Sequence, residues 1–215
     1  MISQSAWCRR HVVPVAKEAG LVPDGKQFRL FGERGDCAVL ELQTHRVDPQ
    51  RETFFARVSI VPLPERAWVH RQHWQQAKDQ LPSSGSGMLQ WELSPPDAVA
   101  LEPQGGMDVT GLWAYSPDID PVVCAEELTR ILRDLTFPQM RRFLDRDVLL
   151  AEMKQRSAGL RHRRPPGWAQ VLLNVDRVAP AALEPLLDEV ETDYPVADEF
   201  IAWAREQAAD WSRSS

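Results

Sequence analysis

Two stretches of the chain alternate between apolar and polar side chains with the two-residue period of a β-strand. Cys37 to His45 places Ala38, Leu40 and Leu42 on one side, and Glu41, Gln43 and His45 on the other. Thr53 to Val61 places Phe54, Ala56, Val58 and Ile60 on one side, and Phe55, Arg57 and Ser59 on the other. The segment between them, Arg46 to Glu52, is rich in turn formers, so the two runs are predicted to pair as a hairpin with one apolar face. A short strand over Gln27–Phe31 precedes them and extends the hairpin to a meander, with Phe28 and Leu30 on the apolar face. Met88–Leu93 alternates again, with Leu89, Trp91 and Leu93 inward. Asp108–Tyr115 reads as a fifth strand that Gly111 interrupts.

Helical spacing frames these strands. Trp7, Val12, Val15, Ala16 and Ala19 predict a helix over about Ser3 to Ala19, with Gly20 as its C′ residue and with a kink or late start because of Pro14. Pro64 suits the first turn of a helix running to about Gln80. From Ser116 the period becomes helical throughout. Asp120-Pro121 opens a helix whose stripe is Cys124, Leu128, Ile131, Leu132 and Leu135. Pro138 begins a short helix carrying Met140, Phe143 and Leu144. Asp147 to Ala158 forms another, closed by Gly159. Trp168 to Val175 fits helix or strand equally, and helices over about Ala181 to Glu191 and Pro195 to Trp211 end the chain. The expected architecture is α+β: a helix-backed antiparallel sheet of four to five strands in the N-terminal half and a helical C-terminal half. The short Ser116–Pro121 connection favours a single compact unit over 1–215, with a sheet-containing part at 1–115 and a helical part at 116–215.

The order of these features resembles a known family. The leading helix ending Ala19-Gly20-Leu21, the strand Phe28-Arg29-Leu30-Phe31, the strand ending Leu40-Glu41-Leu42-Gln43-Thr44-His45, the strand Phe54 to Ile60 and the tryptophan strand Leu89-Gln90-Trp91-Glu92-Leu93 carry the resemblance. It is to the uncharacterised bacterial proteins sharing the domain of unknown function 4304 (DUF4304), over roughly the first 115 residues. The resemblance implies an α+β sheet protein of the bacterial cytoplasm, and it implies no activity.

Composition narrows the picture. Hydrophobic residues at 43% with eight tryptophans supply a core. No apolar run approaches the roughly 18 residues that span a bilayer, and Arg9-Arg10 arrive before any signal-peptide core develops. Three scattered cysteines without a CxxC pattern argue against disulfides or structural zinc and point to a reducing cytoplasm. A net charge of −6 argues against nucleic acid and anionic membranes as partners. Glycine-rich phosphate loops and a GxSxG elbow are absent from the sequence, so no cofactor is expected.

What chemistry remains gathers on the polar side of the sheet. Arg29, Glu41, Gln43, His45, Arg57, Ser59, Gln90 and Glu92 are expected to emerge opposite the core, within reach of one another across adjacent strands. They suit a binding surface for a protein, a peptide or a small polar ligand, on a monomer or homodimer. The same pattern also describes a solvated sheet face laced with ion pairs, and that plainer explanation carries more weight. A hydrolase built on Glu41, His45 and Arg57 is the alternative. Nucleic-acid contact through Arg161, His162, Arg163 and Arg164 ranks below both, because no aromatic residues interleave with the arginines. His70 and His73 share a helix face but lack a third metal ligand nearby, so no metal is expected. Cys37 and His45 lie about 26 Å apart along an extended strand and form no nucleophile–base pair.

Overall fold

The computed structural model describes residues 2–46, 50–101, 111–115 and 119–214. The turn centre at 47–49, the start of the fifth predicted strand at 108–110 and most of the connection after Ser116 lie outside the described residues. Helices and an antiparallel sheet combine as the sequence pattern predicts, with the sheet in the N-terminal half and helices dominating the C-terminal half. No helix among the described residues is long and apolar enough to cross a membrane. The chain divides into two compact units. The first comprises Met1–Phe31, Ala38–Ser59 and Trp91–Arg142, and the second Gly32–Cys37, Ile60–Gln90 and Phe143–Ser215.

In the first unit, strand β1 (Val22–Asp24) pairs antiparallel with β2 (Gln27–Phe31). Strands β3 (Cys37–Thr44) and β4 (Glu52–Val61) follow as neighbours in the sheet, completing the expected meander. Beyond β4 the Leu93 N–H donates to the Ala56 carbonyl at 2.8 Å, continuing from β5 (Leu89–Glu92), and β6 (Trp113–Tyr115) pairs with the first residues of β4. Helix α1 (Gln4–Glu18) backs the apolar face. Its Trp7 ring lies 5.4 Å from Phe54 and 5.1 Å from Tyr115, while its indole N–H donates to the Pro121 carbonyl at 2.8 Å. Gln4 anchors the helix start on β3, donating to the Leu42 carbonyl and accepting from the Thr44 hydroxyl.

Pro14 does not delay α1, because the Ser3 hydroxyl accepts from the Ala6 N–H and caps a helix that starts at Gln4. Its other end is a Schellman motif. The Gly20 N–H reaches the Lys17 carbonyl, the Leu21 N–H reaches Ala16, and Gly20 takes a φ of +81° that a side chain would resist. Helix α4 (Pro121–Ile131) begins at the Asp120 cap as expected, but its stripe ends early. Residues Leu132–Thr136 widen into π-type turns before α5 (Phe137–Phe143). Pro138 cannot donate to the carbonyl four residues back, and an extra residue in the preceding turn relieves the clash of its ring. That insertion rotates Leu135 outward to 63% exposure, away from the predicted stripe.

The second unit is mainly helical. Helix α2 (Leu63–Val69) carries Pro64 in its first turn, then breaks at His70 instead of running to Gln80. A 3-10 turn (Arg71–His73) and the short α3 (Trp74–Ala77) follow, and the Arg66 guanidinium folds this segment back by donating to the carbonyls of Ala77 and Gln80. The residues Leu89 and Gln90 of β5 pair with β7 (Arg161–His162), a two-residue strand inside what reads in sequence as a basic loop. Helices α6 (Arg146–Gln155), α7 (Pro166–Asn174), α8 (Pro180–Leu187) and α9 (Ala197–Ser214) complete the unit. Their core is aromatic: Trp168 stacks on Phe200 at 4.1 Å, and Trp68 meets Phe200 edge-on at 5.1 Å.

Candidate functional site

The polar side of the sheet is polar over only part of its length. Cys37 and Val39 point to that side and are fully buried, as are Ser59 and Val61, so both faces of the sheet are covered there. At the opposite end, Leu101, Leu112 and Ala114 form a small apolar cluster against which Phe55 and Ile119 pack. What stays open in the first unit is a strip between these covered ends.

Of the eight expected residues, three are not on an open face. Arg29 is 3% exposed, its guanidinium held by Asp24 at 3.1 Å and by the Gln27 amide oxygen. Ser59 is fully buried, and its hydroxyl lacks a partner among the described residues. Gln90, in the second unit, is buried and donates to the Ser84 carbonyl at 2.8 Å. These three correct the expectation of a uniformly open face. Period-two alternation reports which side a residue points to, and it is silent on what packs against that side.

The remaining five fall into two groups. Glu41 is half-buried and accepts from the Gln27 amide at 3.0 Å, next to the Asp24–Arg29 pair. Gln43, His45, Arg57 and Glu92 form the open strip. Arg57 directs Nε and Nη2 to Glu92 Oε1 at 3.1 and 2.5 Å, and Nη1 to the side-chain amide oxygen Oε1 of Gln43 at 3.5 Å. Both ends of the ion pair reach solvent, with side-chain exposures of 32% and 43%. His45 is exposed at the end of β3, where its main chain is fixed by the Thr53 carbonyl and hydroxyl, and its ring tilts against Phe55 at 5.3 Å. The contacts seen therefore link Glu41 to Gln27, His45 to Phe55 and Arg57 to Glu92.

The basic cluster is engaged by its own unit. Arg164 grips Glu65 with three hydrogen bonds of 2.8–3.0 Å, Arg163 donates to the Gly85 carbonyl at 2.8 Å, and His162 meets Glu152 at 3.1 Å. Burial pushes the Glu65 carboxyl upward from its ordinary range, against the pull of the Arg164 bonds and charge. Three of the four side chains are thus committed to carboxylate or carbonyl partners that a phosphate would have to displace. His70 lies 3.3 Å from the Ser86 hydroxyl, and His73 is exposed.

Sequence reasoning missed the polar pairs that organise the second unit. Arg146 is 5% exposed, with Nε and Nη2 on the two oxygens of Asp36 at 2.7 and 2.8 Å and Nη1 on Asp176. Burial opposes its charge, and the two aspartates outweigh that cost and raise its pKa. Arg71 pairs in the same bidentate way with Glu199 at 2.6 and 2.9 Å. The partners in these pairs are 110 and 128 residues apart, so no local spacing announces them. Compared with family models, with curated proteins and with solved structures, the chain finds no match, and its candidate site rests on its own geometry.

Proposed function

We propose that this protein is a binding module whose recognition surface is the open strip of the first unit, formed by Gln43, His45, Arg57 and Glu92 beside Phe55. The observation that carries this reading is the solvent-accessible Arg57–Glu92 pair, flanked by an exposed amide and an exposed imidazole. Such a strip offers a guanidinium and a carboxylate in direct contact, an amide oxygen 3.5 Å from the guanidinium, and a ring face farther along the same strands. That set suits a peptide or small polar ligand carrying an acidic group that competes with Glu92 for Arg57. The resemblance to the DUF4304 family supports a cytoplasmic setting and supplies no ligand.

The test separates recognition from stability. An exposed ion pair contributes about 0–1 kcal/mol, so Arg57→Ala should leave the melting temperature within about 4 °C of the parent. With the photo-reactive residue p-benzoylphenylalanine at position 43, cross-links to a cellular partner should form, and Arg57→Ala should abolish them. Loss of the fold in Arg57→Ala, or unchanged cross-linking, would make the strip a structural surface.

A further inference from the structure

The second unit contains a groove that the sheet-face reading does not use. One wall is the segment Arg71–Gln76 and the other is helix α9. A cavity of about 370 Å³ opens onto Trp74, Trp203 and Glu206, and an adjoining one of about 320 Å³ shares Trp203 and Glu206 and reaches Glu199. The Arg71 side chain lines both.

Arg71 shows how a guanidinium sits on this surface. Its guanidinium lies over the Trp68 ring at 3.8 Å from the centroid while both oxygens of Glu199 accept its N–H groups. A flat cation between an indole face and a carboxylate gains from both the ring quadrupole and the bidentate hydrogen bonds. Glu199, Trp203 and Glu206 follow one another at i, i+4 and i+7, and so share one face of α9. One turn past the occupied clamp comes Trp203 and one turn further Glu206, so the groove offers the same two elements again, tryptophan and carboxylate. Here the carboxylate of Glu206 is exposed and makes no hydrogen bond or ion pair to another described residue. Trp74 is only partly buried, with the Arg66 guanidinium over its ring at 5.6 Å from the centroid, and Trp203 shows 9% of its surface. The charge of Arg71 is already matched by Glu199, which leaves the groove one uncompensated negative charge.

We infer that this groove binds a guanidinium group in the manner of Arg71, stacked on tryptophan and paired with Glu206. The group comes either from an arginine side chain of a peptide or from a small guanidinium compound. An anion is repelled by the uncompensated carboxylate of Glu206. A compact ammonium satisfies the carboxylate but lacks the planar surface that stacks on an indole.

The full chain, labelled with nitrogen-15, is titrated with N-acetyl-arginine amide, with the matching lysine and citrulline compounds, and with butylguanidinium, following the indole N–H signals of Trp74 and Trp203. Arginine amide should shift these signals saturably by roughly 20 mM, above the millimolar range of a single-residue contact. Lysine amide should bind more weakly and citrulline amide, the uncharged isostere, not at all. Glu206→Gln should weaken arginine binding about tenfold with an unchanged melting temperature, while Arg57→Ala leaves the titration as it was. Equal affinity for butylguanidinium identifies a small-molecule source, and tighter binding of the arginine amide identifies a peptide. No saturable shift, equal binding of citrulline, or an unaffected Glu206→Gln variant overturns the proposal.

Discussion

Glu152 is 8% exposed, yet the charged form of its carboxyl is favoured. Burial works against the charge, but the Ser157 N–H and hydroxyl, each at 2.9 Å, together with His162 at 3.1 Å, outweigh it and hold the pKa below its ordinary 4.5. The sign of the consequence follows by linkage. A depressed folded-state pKa contributes stability that is present above pH 4.5 and disappears as pH falls through the lower folded value. Glu152→Gln should therefore melt below the parent at neutral pH, and the gap between the two should close as the pH is lowered below 4.5, as read from thermal melts across the acid range. A gap that stays constant with pH would mean that the carboxylate's charge contributes nothing. At this scale the sequence is a partial guide. The inward side chains Leu40, Leu42, Phe54, Val58 and Ile60 are all fully buried, as alternation predicts. Arg29, Ser59 and Gln90 follow the same alternation yet are buried too, and the burial of Glu152 depends on β7, which brings His162 to it from outside its helix.

The elements divide by how much of their surface meets water. Helix α1 has a wet side and a dry side, so its period is legible, and Gly20 marks its end. Helix α7 is buried from Gly167 through Leu173, which leaves no polar face to set a period and explains why Trp168–Val175 is ambiguous in sequence. Its Gly167 is fixed by contact, because a Cβ there would overlap the Glu189 carbonyl oxygen and lie 2.8 Å from Glu191 Oε2. Between elements, the Asp36 carboxylate connects two helix starts. It binds Arg146, the first residue of α6, and accepts the Leu63 N–H of α2 at 2.8 Å. Asp36→Ala leaves a buried guanidinium short of one partner, which should cost about 3–5 kcal/mol in denaturant unfolding. In the Arg146→Met background, Asp36→Ala should add much less, because the guanidinium it pairs with is already gone and Asp176 has lost its partner with or without Asp36. Full additivity of the two losses would show that the pair is not coupled.

Sequence pattern places the change from strand to helix at residue 116, and the character of the chain does change there, but the compact units are not divided at that point. The chain passes between them repeatedly, and the boundaries fall at the end of β2 and inside β3, β4, β5 and α5. The first unit keeps the helical segment 119–142, which is what buries its sheet-side helix. Trp7 gives its indole N–H to the Pro121 carbonyl, and Cys124, Leu128, Leu132, Phe137 and Met140 are at most 2% exposed. Burial of a large apolar side chain stabilises by roughly 2 kcal/mol. Removing these five would cost on the order of 10 kcal/mol, which matches the entire stability of an ordinary domain. A fragment 1–115, cut where the hydrophobic period changes, should therefore show no cooperative thermal transition and a collapsed spread of amide signals. The full chain should melt cooperatively under the same conditions. Extending the fragment to 142 restores the helices of the first unit but leaves Gly32–Cys37 and Ile60–Gln90 without the helices they pack with in the second, so it should remain less cooperative than the full chain. A sharp melt from 1–115 would show that the sheet and α1 hold together without the helices that follow. The strip at Arg57 would then be a property of the N-terminal segment alone.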